Sequence, residues 1–357
     1  MAGVYISYPF CARKCTFCNF ASGAFARDIE ERYLEALCAE IAGFRWQWVP
    51  ETVYIGGGTP SRMSAGALAR VLALVPGRPW REATIEAAPG GITREQAGTW
   101  RDAGINRVSL GVQSFVKAEL AGTGRTHDAA AVASDVAALR AAGITNFNID
   151  LIAGLPRQTA AGWEESLDWI ERLDAPHVSV YMLEIDGDSR LGAELLRGGT
   201  RYGAAETPGE DQVAASYERA IARLETAGIR QYEISNFARP GWESLHNLKY
   251  WRLEPYVGFG ADAHSFDCRL RRQNPESVQD YLSGAPAIET PAAPEERFFV
   301  GLRLREGVRL TEEDRAAYAQ IIARYTALGL LQEHAGALSL TRRGILLSNE
   351  IFQDFIP

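Results

Sequence analysis

The chain has 357 residues, 46% of them hydrophobic and 23% charged, which is the balance of a folded globular protein rather than a disordered one. With 37 Lys+Arg against 45 Asp+Glu and a net charge of -8, no overall basic field favours nucleic acid. No run approaches the roughly 18 apolar residues of a membrane span, and positions 1–10 lack a basic flank followed by a long apolar core, so a soluble cytoplasmic protein with at most peripheral membrane contact is expected.

Short β-branched or aromatic runs recur at 4–7, 52–55, 83–86, 107–110, 147–151 and 178–183. Helical patterns at 65–74, 94–103, 129–142 and 164–173 lie between them, and Gly104, Gly143 and Gly228 stand where helices commonly stop. This alternation predicts parallel strands joined by crossover helices. Such repeats within roughly 190 residues are too few for an eightfold barrel, and a doubly wound sheet shows the same alternation, so pattern leaves both open. After a long helix at 212–227, a seventh strand is expected at 231–236, followed by a Gly-, Asn- and aromatic-rich segment to about Phe266. Pro286, Pro291 and Pro294 mark a linker. Beyond it, 311–328 and 343–355 read as helical and 338–340 as a short strand, together a small, mainly helical tail of winged-helix type.

The five cysteines are odd in number, and three crowd into eight positions as Cys11-Ala-Arg-Lys-Cys15-Thr-Phe17-Cys18. This is no secreted disulfide framework. Cys38, within a helical pattern at 29–44, and the solitary Cys268 read as plain thiols. Three thiolates on one loop directly after a strand can surround an iron-sulfur cubane and leave one iron without a protein donor. Structural zinc is the alternative, but zinc prefers four protein ligands and no second Cys pair or His pair follows.

Cys-x3-Cys-x-Phe-Cys after an opening strand resembles the hallmark of the radical S-adenosylmethionine (SAM) superfamily. The resemblance implies a partial (β/α)6 TIM-like barrel of α/β class and a [4Fe-4S] cluster on Cys11, Cys15 and Cys18. It also implies SAM on the open iron, cleaved by an electron from the cluster to methionine and a 5′-deoxyadenosyl radical. Gly56-Gly57-Gly58-Thr59-Pro60, an ordinary turn by itself, resembles the family's GGE-type motif, so Gly57, Gly58 and Thr59 are assigned to the SAM amino group. Glu86, Gln113 and Asp150 stand at or near the ends of successive strands, which in a barrel face the mouth. The same resemblance assigns Tyr5, Phe17, Glu86, Gln113, Arg125 and Asp150 to SAM, and an arginine fork suits a carboxylate.

The strings 5–11, 56–60, Gly111-Val-Gln113-Ser114-Phe115 and 148–156 resemble the oxygen-independent coproporphyrinogen III oxidase group, over essentially the whole chain. One branch of that group decarboxylates propionates during heme synthesis, and a shorter one acts as a heme chaperone. The oxidase carries a fourth cysteine where this chain has Phe20, and an extension before its cluster loop for which this chain leaves no room. His246-Asn247-Leu248-Lys249-Tyr250-Trp251 matches the HNxxYW signature of the chaperone branch. With an imidazole for iron and two aromatics for a flat ring, His246 is expected to bind heme. A histidine satisfied by hydrogen bonds beside two core aromatics is the alternative. His264 lies in a second motif resembling the family's, where Asp262 replaces the usual Gly, and Ala88 stands where Asn normally follows Glu-Ala.

The expected organisation is a radical-SAM partial barrel over 1–236, a heme-motif segment and linker over 237–290, and a helical domain over 291–357. The expected partners are a heme-acceptor protein and an electron donor such as a flavodoxin or ferredoxin, with no nucleic acid. Coproporphyrinogen III oxidase activity is not expected, although a radical enzyme acting on a porphyrinogen is the competing reading.

Overall fold

The computed structural model describes residues 2–356. Six strands, β1 (Ala2–Tyr8), β2 (Pro50–Gly57), β3 (Glu82–Ala87), β4 (Arg107–Gln113), β5 (Asn146–Ala153) and β6 (His177–Met182), pair in parallel in chain order. Helices Arg27–Gly43, Ala65–Ala73, Arg94–Asp102, Ala129–Ala141 and Ala160–Arg172 cross between them. Ser64, Thr93, Asp128 and Thr159 each start one of the last four by accepting a hydrogen bond from a first-turn amide. The expected repeats are therefore all present.

Alternate side chains along the strands have opposite fates, because successive residues point to opposite faces. Val4, Ile6, Val53, Ile55, Ala83, Ile85, Val108, Leu110, Phe147, Ile149, Val178 and Val180 are buried in the main apolar core. The intervening residues are largely polar: Tyr5, Tyr54, Thr84, Glu86, Arg107, Ser109, Asn148, Asp150 and Ser179. The sheet thus has a dry outer face under the helices and a polar inner face.

Beyond β6 the chain departs from the single seventh strand expected at 231–236. It forms β7 (Arg230–Gln231) and β8 (Asn236–Ala238), with β8 antiparallel to β6. The run divides because Tyr232 bonds His177 and Glu233 bonds Asn236 instead of both continuing the ladder. At the other edge β9 (Tyr256–Phe259) pairs in parallel with β1, and β10 (His264–Phe266), β11 (Leu270–Gln273) and β12 (Ile288–Pro291) extend the sheet as an antiparallel meander. The expected linker therefore contains an edge strand, and Pro291 ends it where a missing N–H costs no ladder bond. The sheet order is β12-β11-β10-β9-β1-β2-β3-β4-β5-β6-β8-β7. With β12 and β7 at its two edges it is an open, partial barrel.

The tail comprises helices Glu296–Gly301, Glu312–Ala317, Ala319–Ala327, Arg342–Leu346 and Ser348–Asp354, with a small sheet of β13 (Val308–Arg309), β14 (Leu331–His334) and β15 (Ala337–Leu340). Each long helix expected there is broken once, at Tyr318 and at Leu347. The tail is stitched to the barrel by Ile234 N–H donating to the Arg303 carbonyl (3.1 Å) and Arg305 N–H donating to the Tyr232 carbonyl (3.0 Å).

Candidate functional site

The cysteine loop leaves the C-terminal end of β1. Cys11 N–H donates to the Gly23 carbonyl (2.8 Å) and Gly23 N–H to that of Pro9 (2.9 Å), which closes the loop on itself. Thr16 then ties it to the segment before Arg125, its N–H bonding the Thr123 carbonyl (3.1 Å) and its hydroxyl that of Gly122 (2.9 Å). Asn19 Nδ2 donates to Asp186 (2.8 Å) on a third side. Lys14 Nζ donates to the Phe20 carbonyl (2.8 Å) and Arg190 to that of Lys14, so the loop is held without tying the three thiols to one another.

All three thiols are unpaired and partly exposed. The Thr59 hydroxyl donates to Cys11 Sγ (3.5 Å), and Cys18 Sγ lies 4.0 Å from Ser22 Oγ. Burial pushes the Cys18 thiol up against the downward pull of its hydrogen bonds and of Lys14. Among the described residues no three Cys, His, Asp or Glu side chains are placed to hold a single metal ion. In a cubane each thiolate holds a different iron, so its donors stand farther apart. Phe17, between Cys15 and Cys18, is partly buried.

The Gly-Gly-Gly-Thr turn at the end of β2 abuts this loop. A Cβ on Gly58 would lie 2.7 Å from Phe10 N, so only glycine allows the two backbones to meet. Gly57 N–H donates to Glu86 Oε2 (3.2 Å), Gly58 N–H to the Tyr8 carbonyl (2.8 Å) and Thr59 N–H to the Phe10 carbonyl (2.9 Å). With these amides engaged inside the protein, the turn has no free N–H among Gly57, Gly58 and Thr59 to offer a ligand. Glu86 also accepts from Tyr54 Oη (2.8 Å), and burial, reinforced by Asp150, pushes its carboxyl up to about 7. Tyr5 stacks on Tyr54 with ring centres 6.2 Å apart.

Across the lumen Gln113 adopts a left-handed backbone, φ 71°. The bare Gly111 lets the Arg125 guanidinium and Gln113 amide lie over it, both within 3.2 Å of where a Cβ would stand. Arg125 Nε is buried without a partner, which fits a ligand carboxylate. Asp150 accepts from Asn148 (2.6 Å) and Ser109 (3.4 Å), and burial raises its carboxyl while Arg107 and Arg125 oppose the rise. The structure therefore gathers Tyr5, Gly57, Gly58, Thr59, Glu86, Gln113, Arg125 and Asp150 along the inner face and mouth, beside the cysteine loop.

His246 is elsewhere. Helix Leu245–Trp251 seals the opposite end of the barrel, under the first residues of β1, β2 and β3. Glu82 caps it by accepting from Ser244 Oγ (3.3 Å) and the N–H groups of Leu245 and His246 (both 2.9 Å), and Arg107 lies 4.0 Å from Glu82. His246 is fully buried, with Nδ1 bonded to Thr52 Oγ1 (2.8 Å) and Nε2 to Tyr250 Oη (2.7 Å), and its ring stacks on Tyr54. Burial, reinforced by the cationic Lys249 and Arg107, pushes its imidazole down to about 3, so it is neutral. Both ring nitrogens are hydrogen-bonded within the protein, so heme ligation by His246, the role expected from the sequence, requires the bond to Tyr250 or to Thr52 to open. Tyr250 packs edge-on against Tyr256 and His246, and Trp251 lies under the Arg303 guanidinium.

One group of residues was missed in the sequence. Thr52, Tyr54, Glu82 and Arg107 build the floor and its link to Glu86. Their signal was present as polar residues at every second position of strands whose other positions are apolar. Asp262 and His264 lie on the rim instead: Asp262 borders a small pocket with Tyr5, Ser7, Phe20, Ser22 and Gly57, and its carboxylate is 4.0 Å from His264 Nε2.

A partial barrel with a polar lumen and three open thiols beyond its first strand defines the radical SAM class, and the Radical SAM superfamily model matches residues 5–170. The HemN C-terminal domain model matches residues 289–347. The heme chaperone HemW of Lactococcus lactis is 33% identical over 99% of this chain and 96% of its own, and that of Bacillus subtilis 33% over 100% and 99%. The chain belongs to the HemW family. The solved coproporphyrinogen III oxidase HemN from Escherichia coli has the same fold, with TM-score 0.84 over 99% of this chain and 89% of that one at 23% identity. The superfamily implies a [4Fe-4S] cluster and SAM, and the open thiols and the orphaned Arg125 nitrogen fit them.

Proposed function

We propose that this protein binds heme and delivers it to an acceptor protein, and that Cys11, Cys15 and Cys18 hold a [4Fe-4S] cluster liganded by SAM. The observation that carries the reading is end-to-end similarity to relatives named heme chaperones. Phe20 supports it, since it exposes an apolar ring where the oxidase branch would carry a fourth thiol. At the mouth, Glu86 and the carbonyls of the glycine turn would take the SAM ammonium, Arg125 its carboxylate, and Gln113 and Asp150 its ribose. When bound, the cluster supplies the electron for SAM cleavage, delivered by a flavodoxin or ferredoxin. Work in the cytoplasm is part of this reading. Among the described residues no helix is long and apolar enough to cross a membrane.

The test is anaerobic reconstitution followed by hemin titration and mixing with a heme-free acceptor. The expected result is about four irons with matching sulfide per chain, a saturable heme absorption band, and its transfer to the acceptor. Zinc without labile sulfide would overturn the cluster assignment. Efficient decarboxylation of coproporphyrinogen III without heme binding would overturn the chaperone reading.

A further inference from the structure

Against a net charge of -8 for the whole chain, four cations crowd around the cysteine loop. Arg13 and Lys14 stand within it, between Cys11 and Cys15. Helix Arg190–Leu196 abuts it, with Leu191 N–H donating to the Thr16 carbonyl (2.8 Å). Arg190 reaches back to the Lys14 carbonyl and lays its guanidinium over the Tyr202 ring at 5.6 Å. Arg201 is brought to the same place by its neighbour: a Cβ on Gly122 would overlap the Tyr202 carbonyl, and Gly122 accepts from the Thr16 hydroxyl (2.9 Å). Arg13, Arg190 and Arg201 are exposed and Lys14 partly so. Among the described residues none of the four has a carboxylate within ion-pair distance. The acids of this neighbourhood, Glu184, Asp186 and Asp188, sit on the turn before the helix, where Asp186 accepts from Asn19 (2.8 Å) and from the Asp188 N–H (2.9 Å).

Apolar side chains complete this surface. Phe20, two residues after Cys18, is 64% exposed, Ile185 52% and Leu196 67%. Ile185 precedes the Asp186 that holds Asn19, and Leu196 Cδ1 lies 3.7 Å from where a Cβ on Gly187 would stand, so both flank the loop. Exposed apolar groups rimmed by charge mark a surface that another protein covers. Two of the cations are already positioned, Lys14 by the Phe20 carbonyl (2.8 Å) and Arg190 by the Lys14 carbonyl and the Tyr202 ring. Docking therefore costs them little side-chain freedom.

Charge and position together specify the occupant. Unpaired cations on an otherwise acidic chain attract an acidic partner, speed its encounter and orient it. A small face of charge and scattered apolar groups suits a short-lived complex of the kind that redox partners form. The three thiols inside the face are partly exposed, so a cluster on them lies directly beneath whatever docks there. Electron transfer falls steeply with distance, and the protein covering this face is the one placed to deliver an electron.

We propose that Arg13, Lys14, Arg190 and Arg201, with Phe20, Ile185 and Leu196 among them, form the docking face for an acidic one-electron carrier protein. This rests on the cluster reading above and adds where the carrier binds. In the complex the carrier's reduced centre loses one electron and the cluster gains it, with no bond made or broken. The test uses the reconstituted full-length protein with purified flavodoxin and ferredoxin as probes. Affinity for the oxidised carriers is measured by calorimetry across ionic strengths, and cluster reduction is followed after mixing with reduced carrier or with dithionite. Wild-type affinity should fall as salt rises. The double variant Arg13→Glu/Arg201→Glu should weaken binding at least about tenfold, flatten the salt dependence and slow reduction by the carrier. Its iron, sulfide and rate with dithionite should match the wild type. Leu196→Ser should weaken binding by a smaller factor, and Arg70→Glu, on the exposed side of helix Ala65–Ala73, should change nothing. If the double variant binds both carriers and is reduced by them as the wild type is, or if the wild type binds neither, the proposal is wrong. It is equally wrong if the double variant loses only its affinity for a heme-free acceptor, because the face then belongs to that protein. Wild-type protein without labile sulfide would instead overturn the cluster reading on which the proposal stands.

Discussion

At the floor of the barrel Glu82 accepts three hydrogen bonds from the start of helix Leu245–Trp251, and His246 has a partner on each ring nitrogen. At the mouth, Arg125 Nε and His127 Nε2 are buried without partners, and three thiols lie partly exposed. Both ends are polar, yet the floor largely satisfies its groups internally whereas the mouth leaves donors for something else. Unpaired buried groups cost more than paired ones, so the mouth is where a ligand gains most and the floor is where a substitution loses most. Tyr54 spans the two, bonding Glu86 through its hydroxyl and stacking on His246 through its ring.

The largest expected effect separates the ends completely. Cys11→Ala, Cys15→Ala and Cys18→Ala should each abolish the cluster in iron and sulfide assays while changing stability by no more than about 1 kcal/mol, because partly exposed loop thiols contribute little to the core. A global loss of helical circular dichroism in these variants would erase the contrast.

Floor substitutions should do the reverse. Glu82→Ala leaves Arg107 without its buried counter-charge and the helix start without its acceptor, an expected loss of about 3–5 kcal/mol in urea unfolding. Whatever folds should still reconstitute the cluster.

His246→Ala should cost about 2–4 kcal/mol, from a cavity and from the stranded hydroxyls of Thr52 and Tyr250. Its pH dependence is also specified. With the imidazole held down to about 3 in the fold against an ordinary 6.5, the unfolded chain binds the proton first. Stability is therefore full above about 6.5 and falls as pH drops towards 3. His246→Gln should flatten that acid limb, to which His177 also contributes.

Glu86 gives the smallest and opposite effect. Its carboxyl, raised from 4.5 to about 7, keeps its proton in the folded apo-protein after the unfolded chain has released it. Stability from this group is full below about 4.5 and declines as pH rises through 7, by at most about 3 kcal/mol. Glu86→Gln should remove the decline without changing the acid limb. An unchanged slope would show that the lumen is wetter at Glu86 than at His246.

The amino-acid sequence by itself determined the βα repeats, because alternation and helical periodicity are local, and it determined the cysteine loop, because its donors lie within eight residues. It also marked the glycine turn and the polar strand positions of the mouth. Tertiary structure decided what local pattern cannot carry: the split of 231–236, forced by the inward pairing of Tyr232 and Glu233, and the edge strand β12 among the prolines. Above all it decided which end of the barrel each motif occupies. The string from His246 to Trp251 has the chemistry of a ligand set, but Thr52, Glu82 and Tyr54 arrive from distant strands to occupy it. The imidazole's environment is thus set by contacts nearly 200 residues apart in the chain, which no local pattern contains.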